Sequence, residues 1–237
     1  MDERYSRTAM LIGEEAVMKL RRSHVLVCGV GGVGSFICEA LARAGVGHLT
    51  LLDFDTVSVS NINRQLIALT STVGRNKAQV MAERIADIAP DCDITPLVGT
   101  YNSENRHLLF DQSLDYIVDA IDLVSCKIDL ILTAREKGIP VISALGTGNK
   151  TDAQLLTITD IAKTQGCPLA RVVRKELRRR EILHHPVVYS PEEGLEPVSE
   201  EAPPPDRRSI PGSLVWVTAT AGMLLCQHVI HAITQEK

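Results

Sequence analysis

The spacing of apolar positions changes repeatedly along this chain, and each change marks a new element. Residues 1–22 place Met10, Leu11, Ile12, Val17 and Leu20 at helical spacing, which predicts one helix with a single apolar face. HVLVCGV (24–30) is short and uniformly apolar, as a strand buried on both faces requires. A glycine-rich turn at 29–34 leads into SFICEALARAG, a helix that stops at Gly45. HLTLLDFD then reads as a second strand ending in acidic residues, so the segment forms one right-handed βαβ unit.

The alternation continues. An irregular stretch at 56–73 precedes a helix over 74–89 that ends before Pro90. ITPLVGT reads as a strand, SENRHLLFD as a short helix and YIVDAI as a buried strand. A helix over 127–137 closes at Gly138, followed by the strands PVISALG and AQLLTITDI. Strands alternating with helices predict an α/β fold, Rossmann-like and doubly wound, whose mostly parallel sheet is covered on both faces. Past Ile161 the pattern shifts to a basic helix (168–182), a Pro- and Glu-rich loop (186–212) and a closing helix, SLVWVTATAGMLLCQHVIHAI. The organisation expected is a nucleotide-binding domain over 1–161, with 162–237 packing on it. The apolar run at 214–226 is 13 residues, too short to span a bilayer, and reads as a core helix; peripheral membrane contact is the alternative.

Composition narrows the function classes. Hydrophobic residues make up 45% and charged ones 23%, as in a soluble globular protein, and with aromatics at 3% the core must be Val, Ile, Leu and Ala. A net charge of −4 excludes a general attraction to nucleic acid, so any such contact needs a local basic patch. Cys28, Cys38, Cys92, Cys126, Cys167 and Cys226 form no CxxC pair, so no zinc site is expected and the thiols read as reduced groups of a cytoplasmic protein. The charged start, MDERYSRTAM, does not read as a secretory signal.

The chemistry begins at Gly29, Gly31, Gly32 and Gly34, between a strand and a helix. Glycines there let backbone approach phosphate, and a helix N-terminus offers N–H groups and positive dipole. Asp53, nineteen residues past Gly34, ends the second strand, where a carboxylate can bind ribose hydroxyls. To this point an NAD-binding protein would look the same. Arg64 and, thirteen residues on, Lys77 separate the two readings, because departing pyrophosphate accumulates negative charge that cations must meet. Asp119 and Asp122 end the strand YIVDAID at the carboxyl edge of the sheet, where one acid can share Mg²⁺ with phosphate oxygens; a helix N-cap is the alternative for Asp122.

GxGGxG, LLDFDTVSVSNINRQ, the following Lys and VDAID, with RYSR near the start, resemble the ubiquitin-activating (E1-like) superfamily over residues 4–160. The resemblance implies an adenylation fold with ATP and Mg²⁺. It places Gly32 against the nucleotide and the ribose on Asp53, with Asp55 among the nucleotide-binding residues. It sets Asn61, Arg64, Gln65 and Lys77 around the phosphates and Mg²⁺ on Asp122. Arg7 would reach into a neighbouring subunit's site, which implies a homodimer. Where the superfamily has Asn after the second acid, this chain has Leu123.

The last third resembles one branch, the tRNA threonylcarbamoyladenosine dehydratases, through TDIAKTQGCPLARVVRKELRRR and VTATAG. That resemblance implies that the activated carboxylate belongs to the threonylcarbamoyl group on adenosine 37 of tRNA, and that ring closure follows with net loss of water. Arg171, Arg174, Lys175 and Arg178 fall on one helix face and could follow a phosphate backbone; a solvated face balanced by the acidic loop at 192–206 is the alternative. Two rivals stay open: adenylation of the C-terminal glycine of a ubiquitin-like sulfur carrier, and a non-catalytic or NAD-binding protein. A sulfur-relay protein is a further partner the superfamily allows. Cys167, before a helix start, reads as a thioester-forming nucleophile or a capping residue, and Cys126 is weighed likewise. The pair His184 and His185 reads as surface.

Overall fold

In a computed structural model, residues 2–102, 106–110, 112–196, 198 and 211–235 are described. Residues 103–105 and 111 of the predicted short helix, and 197 and 199–210 of the Pro- and Glu-rich loop, lie outside them.

The first predicted helix is two. Helix α1 (Ser6–Ile12) and α2 (Glu14–Arg22) meet at Gly13, whose φ of 88° interrupts the helical path. The break divides the expected apolar face. Val17 and Leu20 of α2 are buried, whereas Met10 and Leu11 of α1 are 81% and 88% exposed.

Strand β1 (His24–Cys28), helix α3 (Gly34–Ala44) and strand β2 (His48–Asp53) form the βαβ unit. Helix α4 (Lys77–Ile88) begins after the Asn76 side chain accepts from the Gln79 N–H, a cap at 3.2 Å, so the predicted start at 74 shifts inward. Strand β3 (Asp93–Val98), helix α5 (Arg106–Phe110) and strand β4 (Tyr116–Asp119) follow. Helix α6 (Val124–Glu136) starts earlier than the predicted 127, and strand β5 (Val141–Ala144) ends the regular alternation.

The seven-stranded sheet runs β3-β2-β1-β4-β5-β7-β6. Only β6 (Thr157–Asp160) is antiparallel, pairing with β7 (Pro186–Tyr189). Strand β7 corrects the expectation that 186–212 is loop from its start. Val187 and Val188 are buried, and Pro186, which cannot donate to a ladder, occupies the first strand position. The chain leaves β1 toward β2 in one direction and returns to β4 on its other side, so the crevice beyond the carboxyl ends of β1 and β4 is the topological switch point.

Helix α7 (Pro168–Arg178) stops short of the predicted 182, and α8 (Val215–Gln235) covers the sheet. Leu225, Val229 and Ile233 of α8 share one core cluster with Leu20, Val27, Ile37 and Leu41. Burying each such leucine contributes about 1.5–3 kcal/mol. Gly222 allows the close approach, since a Cβ there would lie 2.8 Å from Phe36 Cβ. Among the described residues α8, at 21 residues, is the one helix long and apolar enough to cross a membrane; its buried side packs on this core.

Candidate active site

The turn after β1 is built from glycines with separate duties. Gly29 has φ +92°, and a Cβ there would lie 2.6 Å from Ala120 O; at Gly34 it would lie 1.7 Å from Gly29 O. These two make the turn possible. Gly31 faces the Gln65 side chain, and a Cβ at Gly32 would approach Thr218 Cγ2 to 3.1 Å. The superfamily resemblance sets Gly32 against the nucleotide; within this chain its neighbour is Thr218 of α8. Helix α3 opens from the turn with no side chain capping its first N–H groups, which suits an anion.

Asp53 braces this turn from β2. Its Oδ2 accepts the Val30 N–H at 2.6 Å and its Oδ1 the Asp55 N–H at 2.8 Å. Burial pushes the Asp53 carboxyl up, while those two amides and Lys77 restrain the rise. Each oxygen retains a lone pair for a ribose hydroxyl. Lys77, buried at the first position of α4, donates from Nζ to Asp55 Oδ2 at 2.8 Å and from its backbone N–H to Asp55 O at 3.0 Å.

Between these elements, Asn61 Oδ1 accepts from the Ser58 N–H at 3.1 Å and fixes a short turn. Arg64, partly exposed, donates from Nη1 to Ser60 O and Asn63 Oδ1, both at 2.9 Å. It forms no ion pair among the described residues. Gln65 is buried against Gly31, and its Oε1 has no hydrogen-bond partner among the described residues. An orphaned acceptor beside a phosphate-type loop marks a position that a ligand donor can complete.

On the other side of the switch point, Asp119 and Lys127 are both wholly buried, Nζ to Oδ2 at 2.7 Å. Ser143 donates to the same Asp119 oxygen at 2.6 Å, and Lys127 also donates to Ala144 O at 3.2 Å. With the serine proton so used, His185 donates its Nε2–H to Ser143 Oγ at 2.8 Å, leaving Nδ1 without a partner among the described residues. This network was missed. His185, expected at the surface, is 1% exposed because it leads into the unforeseen strand β7, whereas His184 is exposed and meets Asp160 at 3.1 Å. Burial, then the charges of Lys127 and Arg135, push the His185 imidazole down to about 3. A lysine in the first turn of the helix that follows the strand ending in Asp119 was the available signal for the pair.

Asp122 stands exposed in the loop after β4. The N-cap of α6 is Leu123, so the capping alternative for Asp122 is not what the structure holds. Among the described residues no group of three His, Cys, Asp or Glu side chains could alone hold a metal ion. One exposed acid suits Mg²⁺ shared with phosphate oxygens rather than a closed protein cage.

Arg171, Lys175 and Arg178 of α7 are exposed, and with Arg174 and Arg179 they line one groove. None of Arg171, Arg174, Lys175 and Arg178 is in an ion pair among the described residues; Glu176 instead holds Arg179 and Arg180. Arg174 differs from its neighbours, donating to Thr164 O at 2.8 Å. In the expected acidic counterweight, Glu192 is spent on Thr151 and Asp152. Cys167 is buried at the N-cap of α7, where Sγ accepts the Ala170 N–H at 3.4 Å. Burial raises the Cys126 thiol, against a thiolate role. Arg7 is exposed on α1 and makes no hydrogen bond or ion pair among the described residues.

Known proteins resemble the chain over nearly its whole length. A Bacillus subtilis tRNA threonylcarbamoyladenosine dehydratase is 41% identical over 239 residues, covering 97% of this chain and 94% of that protein. The crystal structure of the Escherichia coli tRNA N6-threonylcarbamoyladenosine dehydratase in complex with AMP superimposes with a TM-score of 0.90 at 36% identity, covering 98% of this chain and 94% of that one. The same enzyme in complex with ATP gives 0.89 at 36% identity. The ThiF family model matches residues 5–237. The chain belongs to the ThiF family.

Proposed function

We propose that this protein is an ATP-dependent tRNA threonylcarbamoyladenosine dehydratase. The observation that carries the reading is a glycine turn at the switch point braced by Asp53, which also holds the Asp55 N–H, while Asp55 holds the buried Lys77. Likeness to dehydratases along nearly the full chain supports the choice of carboxylate.

In this reading ATP lies over Gly29–Gly34, with its ribose on Asp53 and with Asn61 and Gln65 at the phosphates. An oxygen of the threonyl carboxylate attacks the α-phosphorus, and the bond to the bridging oxygen of pyrophosphate breaks. Arg64, Lys77 and Arg7 of the partner subunit meet the charge that develops on that leaving group. The carbamoyl group then closes on the acyl carbon and AMP departs with the carboxylate oxygen, so the nucleoside has lost one water. No protein nucleophile is required, and the rate gain comes from positioning and preorganised charge. Asp122 would hold Mg²⁺, which when bound supplies further positive charge at the phosphates.

The groove on α7 carries the tRNA backbone through Arg171, Lys175 and Arg178, with Arg174 partly committed to its own chain. Exposed Met10 and Leu11, on the same short helix as Arg7, form the contact to a second copy, making the working unit a homodimer in the cytoplasm. Incubation with ATP and tRNA carrying the modification, followed by nucleoside analysis, tests the reading. Conversion to the cyclic nucleoside supports it. An unchanged nucleoside, with AMP released only when a Gly-Gly-tailed carrier protein is present, would favour the rival acceptor.

A further inference from the structure

Three lysines among the described residues are buried, and two of them form ion pairs: Lys77 with Asp55 and Lys127 with Asp119. The third, Lys150, is 3% exposed and its Nζ has no hydrogen-bond partner among the described residues. A desolvated ammonium without a hydrogen bond is unfavourable, and among the described residues only the charge of Glu192 acts on it, through space.

Its surroundings are well made. Lys150 follows Asn149, whose φ of 60° turns the chain after β5. The Asn149 N–H donates to Gly212 O at 2.8 Å, its carbonyl accepts from the Leu195 N–H at 2.9 Å, and its Oδ1 accepts from the Gly212 N–H at 2.6 Å. The ammonium lies beside the loop so anchored, and a Cβ at Gly194 would be 3.9 Å from Nζ. Glu192 feels the charge of Lys150 but does not hydrogen-bond to it. That carboxylate accepts from Thr151 N–H at 2.9 Å, Thr151 hydroxyl at 2.8 Å and Asp152 N–H at 3.1 Å, and forms no ion pair with Lys150.

The position adjoins the active site. The loop leaves β5 at the same carboxyl edge as the glycine turn after β1 and Asp122 after β4. Thr151 O accepts from Trp216 Nε1 at 2.8 Å, in the first turn of α8, the helix whose Thr218 packs on Gly32. On the same stretch Ser213 O accepts from Asn63, the neighbour of Arg64, at 2.9 Å.

We infer that Lys150 binds an oxyanion of the acceptor RNA, its threonyl carboxylate or a backbone phosphate, on the α8 side of the glycine turn. The inference rests on the dehydratase reading. It explains why a buried ammonium is kept with no hydrogen-bond partner among the described residues: that partner arrives with the substrate.

The test compares Lys150→Met and Lys150→Arg with the wild-type protein. Lys150→Met keeps its thermal midpoint or gains in it and binds ATP within twofold of wild type. Its kcat/KM for modified tRNA falls about thirtyfold or more, the scale of losing one partner of a buried charged contact. Lys150→Arg recovers much of that loss. The free modified nucleoside, which has the carboxylate and no phosphate, separates the two sources. Inhibition of AMP release that weakens in Lys150→Met identifies the carboxylate, and equal inhibition of both proteins identifies a phosphate. Wild-type kcat/KM in Lys150→Met, or a lowered midpoint with weakened ATP binding, would overturn the inference. If the wild-type protein releases no AMP with modified tRNA, the dehydratase reading itself fails. The affinity of the two proteins for RNA then decides about Lys150, and equal affinities refute it.

Discussion

Lys77 Nζ lies 2.8 Å from Asp55 Oδ2, with the lysine buried and the aspartate nearly half exposed. The backbone of the same two residues is joined by a second hydrogen bond, so the ammonium is held from both ends of its side chain. A cation fixed before ATP arrives needs no reorganisation when charge develops on pyrophosphate. Arg64 is held more loosely, by Ser60 O and Asn63 Oδ1, and keeps guanidinium donors free for a phosphate.

Replacing either cation therefore removes transition-state stabilisation while leaving the core intact. Lys77→Ala and Arg64→Ala are each expected to cut AMP release by roughly two orders of magnitude or more, with an unchanged circular dichroism spectrum. Near-normal turnover in either would remove that residue from its assigned role.

The Asp119–Lys127 pair has no exposed atom to share with solvent. Lys127→Met leaves a buried carboxylate uncompensated, and the expected loss is about 3–5 kcal/mol in urea unfolding at neutral pH. The double variant Asp119→Leu/Lys127→Met recovers part of this loss. A single variant as stable as the parent would show that the pair is not closed in solution.

His185 makes stability depend on pH. The folded protein holds this imidazole neutral down to about 3, whereas the ordinary value is 6.5. Between those values the unfolded chain binds the extra proton, so stability is full above pH 6.5 and falls as pH drops through the window. The slope from this group is at most about 1.4 kcal/mol per pH unit. His24 and His228, also lowered by burial, act in the same direction, so the comparison must be with His185→Gln. Unfolding free energies at pH 6.5 and 5 should converge between the two proteins as pH falls; parallel curves would refute the assignment.

On α7, Arg171, Lys175 and Arg178 should weaken RNA binding when replaced by Gln and lower the salt dependence, by about 0.9 in log–log slope per contact to duplex phosphate. Arg174→Gln should in addition lower the thermal midpoint, because its guanidinium holds Thr164. Unchanged binding in the triple variant would return this face to ordinary solvation.

Met10→Glu together with Leu11→Glu is expected to convert a dimer to a monomer by light scattering, with AMP release lost because Arg7 no longer reaches a partner's site. A monomeric wild-type protein would contradict the dimer directly.

The sheet was legible wherever one element had one periodicity. The βαβ unit from His24 to Asp53 and the strands β4 and β5 follow from uniform apolar runs and their glycine stops. Strand β7 was not, because Pro186 and the polar sequence after Tyr189 look like loop; its place between β5 and β6 is set by long-range pairing. The same blindness hid His185, whose burial depends on that strand. Met10 and Leu11 sat at helical spacing with Val17, yet the turn at Gly13 redirects them, an effect of a single positive φ. Asp53 and Lys77, which the structure links through Asp55, could be read from spacing as candidates. The orphaned Gln65 Oε1 and Lys150 Nζ could not, since a missing partner is visible only in three dimensions.

The direct test of adenylation follows the carboxylate oxygens. Modified tRNA labelled with a heavy oxygen isotope in the threonyl carboxylate is turned over with unlabelled ATP, and the AMP is examined by mass spectrometry. Attack on the α-phosphorus followed by ring closure predicts one heavy oxygen in each AMP. Cyclic nucleoside formed with unlabelled AMP would mean that the carboxylate was never joined to the α-phosphate.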